Sequence, residues 1–120
     1  MNLGVVKEKT IPKMTIISKP LSKGMINTRT FIPHKCHQSI GVFGAISVAT
    51  ACLLEGTPAN NLAVIPGGEK KICSIEHPSG QMQVSVELRN KKIKSTAILR
   101  TARKLFDGLV FPDQNNLKAS

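Results

Sequence analysis

The chain has no tryptophan, no tyrosine and only four phenylalanines. That excludes a core built on aromatic rings and leaves Ile, Val, Leu, Ala and Met to fill one. It also argues against a nucleic-acid surface that works by stacking bases on aromatic side chains. Acidic residues are scarce too, seven against seventeen Lys and Arg, for a formal net charge of +10. Such a balance suggests an anionic partner, with nucleic acid and a polycarboxylate as the two candidates. The three cysteines, Cys36, Cys52 and Cys73, are odd in number and irregular in spacing, so they predict no disulfide framework and a reducing, cytoplasmic compartment. No signal-peptide pattern is visible in "MNLGVVKEKTIPK". The longest apolar run, 42–54, is too short to cross a bilayer, so no membrane partner is expected.

With 120 residues, 41% of them hydrophobic, one ordered domain with a modest core is the natural expectation. "KMTIISKP" predicts a short buried strand, and "INTRTFI" a second. "SIGVFGAISVATACLLEG", Ser39 to Gly56, is apolar nearly all round and Ala-rich. It reads as a helix ending at Gly56, and a helix apolar on every face must be buried on every face. In a small chain that requires a sheet wrapped around it. "TPANN" reads as a polar linker, and "LAVIPGGEKKICSIE" as two short strands about a Pro66-Gly67-Gly68 turn.

"HPSG" turns the chain into "QMQVSVEL", which alternates with Met82, Val84, Val86 and Leu88 on one face. "RNKK" makes a hairpin, and its cluster Arg89, Lys91, Lys92 and Lys94 reads as a solvated tip. "IKSTAILRTA" returns with Ile93, Ala97 and Leu99 on one face. "LFDGLVFP" predicts a last strand, and residues 113–120 a polar tail. The fold class is α+β: a mostly antiparallel, strongly curved sheet around one central hydrophobic helix.

The densest chemistry is "HKCHQSIGVFGA". His34, Cys36 and His37 fall within four residues, but zinc sites draw ligands from separated pairs and no second pair follows, since Cys73 and His77 fit no zinc spacing. A Cys36–His37 nucleophile pair would need an orienting group and an oxyanion hole, and on an extended segment the two side chains point to opposite faces. Cys36 therefore reads as a packing residue. What remains is the helix start. Its free amides and partial positive charge suit an anion, with Gly44 and Ala45 allowing close approach and His37 and Ser39 beside them. A helix start that merely packs tightly fits the same residues. The "EHPSG" turn offers Ser79 and Gly80 as a second anion concavity, or an ordinary tight turn. "LRTARKLFDG" carries Arg100, Arg103 and Lys104 and reads as charged surface. No residue is assigned a catalytic role, and neither metal nor organic cofactor is expected.

Several segments together resemble one family. "HPSG" followed by an alternating strand, then "RTARKLFDG" and "VFP", are similar to the C-terminal end of PrpF-family proteins, the aconitate and methylaconitate isomerase-like group. "IPKMTIISKP" resembles the strand opening that family's second half, and "HQSIGVFGAISVATA" its helix entrance. The likeness runs from about Ile11 to Pro112. It implies a diaminopimelate-epimerase-like fold, in which each of two halves is a curved sheet around a hydrophobic helix and substrate lies between them. It also implies proton-transfer isomerisation of a di- or tricarboxylic acid. On that resemblance residues 1–120 correspond to the C-terminal half, with His37, Ser39, Gly44, Ala45, Ser79 and Gly80 contacting substrate carboxylates. The acid/base lysine and cysteine belong to the other half. The expected partners are then the carboxylate, a chain supplying that half, or a second copy. Phe43 stands where the family has a threonine that would cap the helix and contact a carboxylate.

Overall fold

The computed structural model describes residues 4, 11–32 and 34–111. The expected polar tail at 113–120 lies outside them. Five strands form one sheet in chain order, β1 (Met14–Ser18), β2 (Ile26–Phe31), β3 (Lys70–His77), β4 (Gly80–Arg89) and β5 (Lys92–Leu99). Between β2 and β3 come helix α1 (Val42–Leu53) and the short α2 (Pro58–Leu62). All neighbouring strands are antiparallel except β2 and β3, which run parallel. The fold is thus α+β with a mostly antiparallel sheet.

The core is aliphatic and thiol-lined, as the lack of aromatics requires. Ile26, Ile75, Val84, Val86, Cys52 and Cys73 are fully buried. All three cysteines are free. Burial, followed by the nearby Cys73 thiol, pushes the Cys52 thiol up to about 11, and burial raises that of Cys73. Strand β4 keeps the expected alternation, with Met82, Val84 and Val86 inward and Gln81 and Gln83 outward.

Strand β5 departs from expectation. Leu88 pairs with Ile93 but Glu87 pairs with Ser95, so Lys94 is an extra residue and the register shifts there. Beyond this bulge the inward side is Thr96 and Ile98, opposite Val86 and Val84, while Ala97 and Leu99 are exposed. The hairpin itself is a two-residue connection with Asn90 at φ 51° and Lys91 at φ 60°, the twist that favours this loop. Its basic residues Arg89, Lys91, Lys92 and Lys94 are exposed, and Lys94 pairs with Glu87 at 2.9 Å.

Five further expectations change. Strand β1 is an edge strand whose Met14 and Ile16 are exposed, so it is half-buried only. "TPANN" is a helix, not a linker. Thr57 caps it by accepting from the Asn60 amide at 3.1 Å, and Pro58 stands where a missing N–H costs nothing. The same segment closes α1, because the Thr57 hydroxyl donates to the Ala51 carbonyl at 2.6 Å and Asn60 Nδ2 to the Cys52 carbonyl at 2.7 Å. "LAVI" and "LFDGLVF" form no strand. Finally, α1 is buried along one stripe, Ala45, Ala49 and Cys52, while Val42, Phe43 and Ser47 face outward. A sheet closing around the whole helix is not what these residues form.

One buried carboxylate ties β3 to the β1–β2 connection. Glu76, on β3, is 5% exposed. It accepts the amides of Leu21 at 2.7 Å and of Ser22 and Gly24 at 2.9 Å, all in the β1–β2 connection. Its own carbonyl accepts the Thr28 hydroxyl at 2.6 Å. The backbone approaches so closely that a Cβ at Gly24 would overlap Glu76 Cγ. Burial raises the Glu76 carboxyl, but the amides of Leu21, Gly24 and Ser22, with the Arg29 guanidinium, outweigh it and hold the group below its ordinary value.

A carboxyl lowered on folding contributes stability above its unfolded pKa, and that contribution vanishes as pH falls through the folded value. Glu76→Gln should therefore cost about 2 kcal/mol at neutral pH, read by urea unfolding. It should also flatten the acid-side decline that the wild-type chain shows.

Candidate functional site

The parallel contact of β2 with β3 spans two pairs, Ile26 with Ile75 and Asn27 with Glu76. Beyond it β2 runs on past the end of β3, and the chain folds back to fill the gap. Ile32 donates to the Lys35 carbonyl at 3.0 Å, Phe31 and Cys36 form an isolated antiparallel bridge, and the His37 amide donates to the Thr30 carbonyl at 2.7 Å. His37 thus sits beside β2 where a neighbouring strand would otherwise continue. Cys36 is half-buried in that bridge, in keeping with a packing role.

Because β2 and β3 are parallel they point the same way, and the chain that folds back along the overhang of β2 meets the segment that follows β3. The "HPSG" turn docks on the helix entrance. The Ser79 amide donates to the Gln38 carbonyl at 3.0 Å and the Ser79 hydroxyl to the same oxygen at 2.6 Å. His77 lies between two serines, with Ser79 Oγ 3.3 Å from Nδ1 and Ser39 Oγ 3.4 Å from Nε2. Since the Ser79 proton is used on Gln38, its oxygen accepts from His77 Nδ1–H. Nε2 of the neutral ring then accepts from Ser39. The Ser39 amide donates to His37 Nδ1 at 2.9 Å. In neutral His37 the remaining ring proton is therefore on Nε2.

His37 opens on a cavity of about 650 Å³ between the β1–β2 face and α1. Thr15 and Thr30, whose hydroxyls lie 3.0 Å apart, form part of one wall. Gly41 to Gly44 form the other, at the start of α1. Gly41 is the N-cap and offers no side-chain cap, so the amides of Val42, Phe43 and Gly44 have no intrahelical partner. The Ala45 amide already donates to the Gly41 carbonyl at 2.9 Å, and Ala45 is fully buried.

The six expected contact residues therefore separate. His37 and Gly44 line the cavity. Ala45 lies behind it with its amide engaged. Ser39, Ser79 and Gly80 are outside the cavity wall, and the two serines hold the loop that presents His37. Ser39 does not cap α1, and neither would a threonine at position 43, which is the helix's second residue. Phe43 does not fill the cavity; it stands at its lip, 85% exposed. Sequence reading missed Thr15, Thr30 and Lys13 as wall residues, because only strand pairing brings them opposite the helix. Arg100, Arg103 and Lys104 are exposed on the segment after β5, with Lys104 paired to Asp107 at 2.8 Å. Among the described residues no three His, Cys, Asp or Glu side chains converge, and no helix is long and apolar enough to cross a membrane.

The PrpF protein family model matches residues 3–113. The chain belongs to the PrpF family. Among curated PrpF-related proteins it is 54% identical over 110 residues to a 4-oxalomesaconate tautomerase of Pseudomonas putida, covering 92% of this chain and 30% of that protein. It is 53% identical over 112 residues to a (4E)-oxalomesaconate Delta-isomerase of Novosphingobium, covering 92% and 31%. A putative isomerase, YbhH, of Escherichia coli is 38% identical over 113 residues, covering 92% and 32%. This PrpF chain thus spans about 30% of the length of the curated relatives it matches. The crystal structure of a methylitaconate-delta-isomerase superposes with a TM-score of 0.70 at 21% identity, over 95% of this chain and 33% of that one, a likeness of fold.

The hydrogen-bond chain from the turn to His37 makes a local prediction. Ser79→Ala should cost about 1 kcal/mol in stability. It should also speed hydrogen exchange at the Ser39 amide, which NMR reads directly, because Gln38 and His77 lose their shared partner.

Proposed function

We propose that residues 11–111 form the carboxylate-binding wall of a PrpF isomerase that shifts a double bond in a di- or tricarboxylic acid by proton transfer. On this reading the groups that remove and return the proton come from outside this sequence. The observation that carries it is the cavity wall. His37 and the three residues whose amides lack an intrahelical partner, Val42, Phe43 and Gly44, line one space, and among the described residues no carboxylate or thiol lines it. Hydrogen-bond donors without a competing acid suit an anion. They suit even better a carboxylate that gains charge as a neighbouring carbon loses its proton.

The names of the relatives, an oxalomesaconate tautomerase and an oxalomesaconate isomerase, support an unsaturated polycarboxylate as the substrate class. Ser39, Ser79 and Gly80 then act at one remove, through the loop, and Gly44 through its amide. The outward side of α1, with Val42, Phe43 and Ser47, is the side the rest of a two-halved fold would cover.

Two outcomes follow. With aconitate as probe, the 120-residue chain should bind the acid yet cause no change in conjugated absorbance, and His37→Ala should weaken binding about tenfold. Turnover by this chain alone would show that it carries its own base.

A second reading has its own support. After β5 the chain carries Leu105, Phe106, Leu109, Val110 and Phe111, each 66–87% exposed. Five large apolar side chains left in water on one short segment mark a contact with another polypeptide surface, either a second copy or a chain supplying the other half. Sedimentation should then show concentration-dependent association, which Phe106→Ser with Phe111→Ser reduces. A clean monomer at all concentrations counts against this contact.

A further inference from the structure

Among the described residues the cavity has one charged side chain on its wall, and the expected site residues did not include it. Strand β1 pairs Met14 with Phe31 and Thr15 with Thr30. Period-two alternation puts Lys13, Thr15 and Ile17 on the α1 side, while Met14 and Ile16 face outward and are exposed. Lys13 thus reaches the cavity from the strand wall, and the His37 ring and the first amides of α1 reach it from the loop and the helix. Among the described residues no acidic side chain shares the lining and Lys13 forms no ion pair. Much of the remaining wall is apolar, including Ile17, Ile32, Val42 and Val48. Among the described residues this ammonium, facing hydrogen-bond donors across a largely apolar space, has no counter-charge, and a ligand could supply one.

We propose that Lys13 is a specificity-determining residue of this cavity, binding a second carboxylate of a ligand whose first carboxylate lies on His37 and the α1 amides. The assignment rests on the carboxylate-binding reading above and sharpens it. The site selects for acids charged at both ends of a short carbon skeleton, with the apolar walls against the carbons between. A monocarboxylate of the same shape satisfies His37 and the helix but leaves Lys13 unpaired.

Fumarate and monomethyl fumarate are suitable probes, since they share one skeleton and differ in one charge. Titrated into the 120-residue chain by calorimetry or amide NMR, fumarate should bind about tenfold more tightly than the ester. Lys13→Met should bring fumarate down to the affinity of the ester while leaving the ester unchanged, and Lys13→Arg should retain the preference. Lys92→Met, at the β4–β5 hairpin tip, removes the same net charge and should not alter the ratio. If Lys13→Met keeps the fumarate preference, or weakens both ligands alike, Lys13 does not select the second carboxylate, although the carboxylate site itself stands. If the wild-type chain binds neither probe, the carboxylate reading fails and the role of Lys13 fails with it.

Discussion

Everything at the cavity mouth depends on a parallel contact only two residue pairs long, between β2 and β3. Parallel neighbours cannot be joined by a tight turn, so a long crossover has to leave the sheet and return. Here that crossover holds α1 and α2, and it sets α1 on the core side of the sheet. Parallel pairing also points the two strands the same way, and the chain after β2 folds back along the overhang toward the end of β3. The loop leading into α1 and the "HPSG" turn leaving β3, some forty positions apart in sequence, therefore meet. Glu76 reinforces the contact from both its backbone and its side chain, drawing the β1–β2 connection onto β3 by accepting hydrogen bonds from three backbone amides. A carboxylate so placed is buried without being orphaned, which is the condition for keeping its charge inside a small core.

The meeting of those segments divides labour among polar side chains that look alike in sequence. Ser79 and Ser39 spend their hydrogen bonds on Gln38, His77 and His37, which makes them supports. His37 lines the cavity with one ring nitrogen held by the Ser39 amide, which leaves the other for a ligand. The start of α1 adds amides that no side chain caps. In many helices a Ser or Asp at the N-cap would take one of these, whereas Gly41 leaves them open. The site is therefore one of donors on two walls, with Lys13 the fixed charge among the described lining residues.

Much of the fold was legible where a periodic signal had no competitor. The alternation of "QMQVSVEL" gave β4 and its inward face directly, and "RNKK" gave the hairpin. It failed in β5 at one residue. Lys94 is inserted at a bulge, and a single insertion turns every later side chain to the other face, a shift that leaves no mark in composition. "TPANN" was misread because its polarity resembles a linker, although Thr57 followed by proline is also a capped helix start. "LFDGLVF" has a strand's composition but finds no neighbour to pair with among the described residues. The all-apolar helix was correctly placed, yet its composition overstated its burial: Val42 and Phe43 are as apolar as Ala45, but face outward.

The sequence by itself determined the aliphatic core, the α+β class, the absence of a zinc-like spacing and the two segments that matter, the helix entrance and the "HPSG" turn. These follow from side-chain chemistry and local periodicity, which need no knowledge of distant neighbours. Only the tertiary structure decided that the two segments touch, that His37 faces the cavity while Ser39 and Ser79 brace it, and that Lys13 stands on the opposite wall. Those facts depend on strand order and register. Register is set by which residues pair across the sheet, a relation between positions far apart in the chain that no local stretch contains.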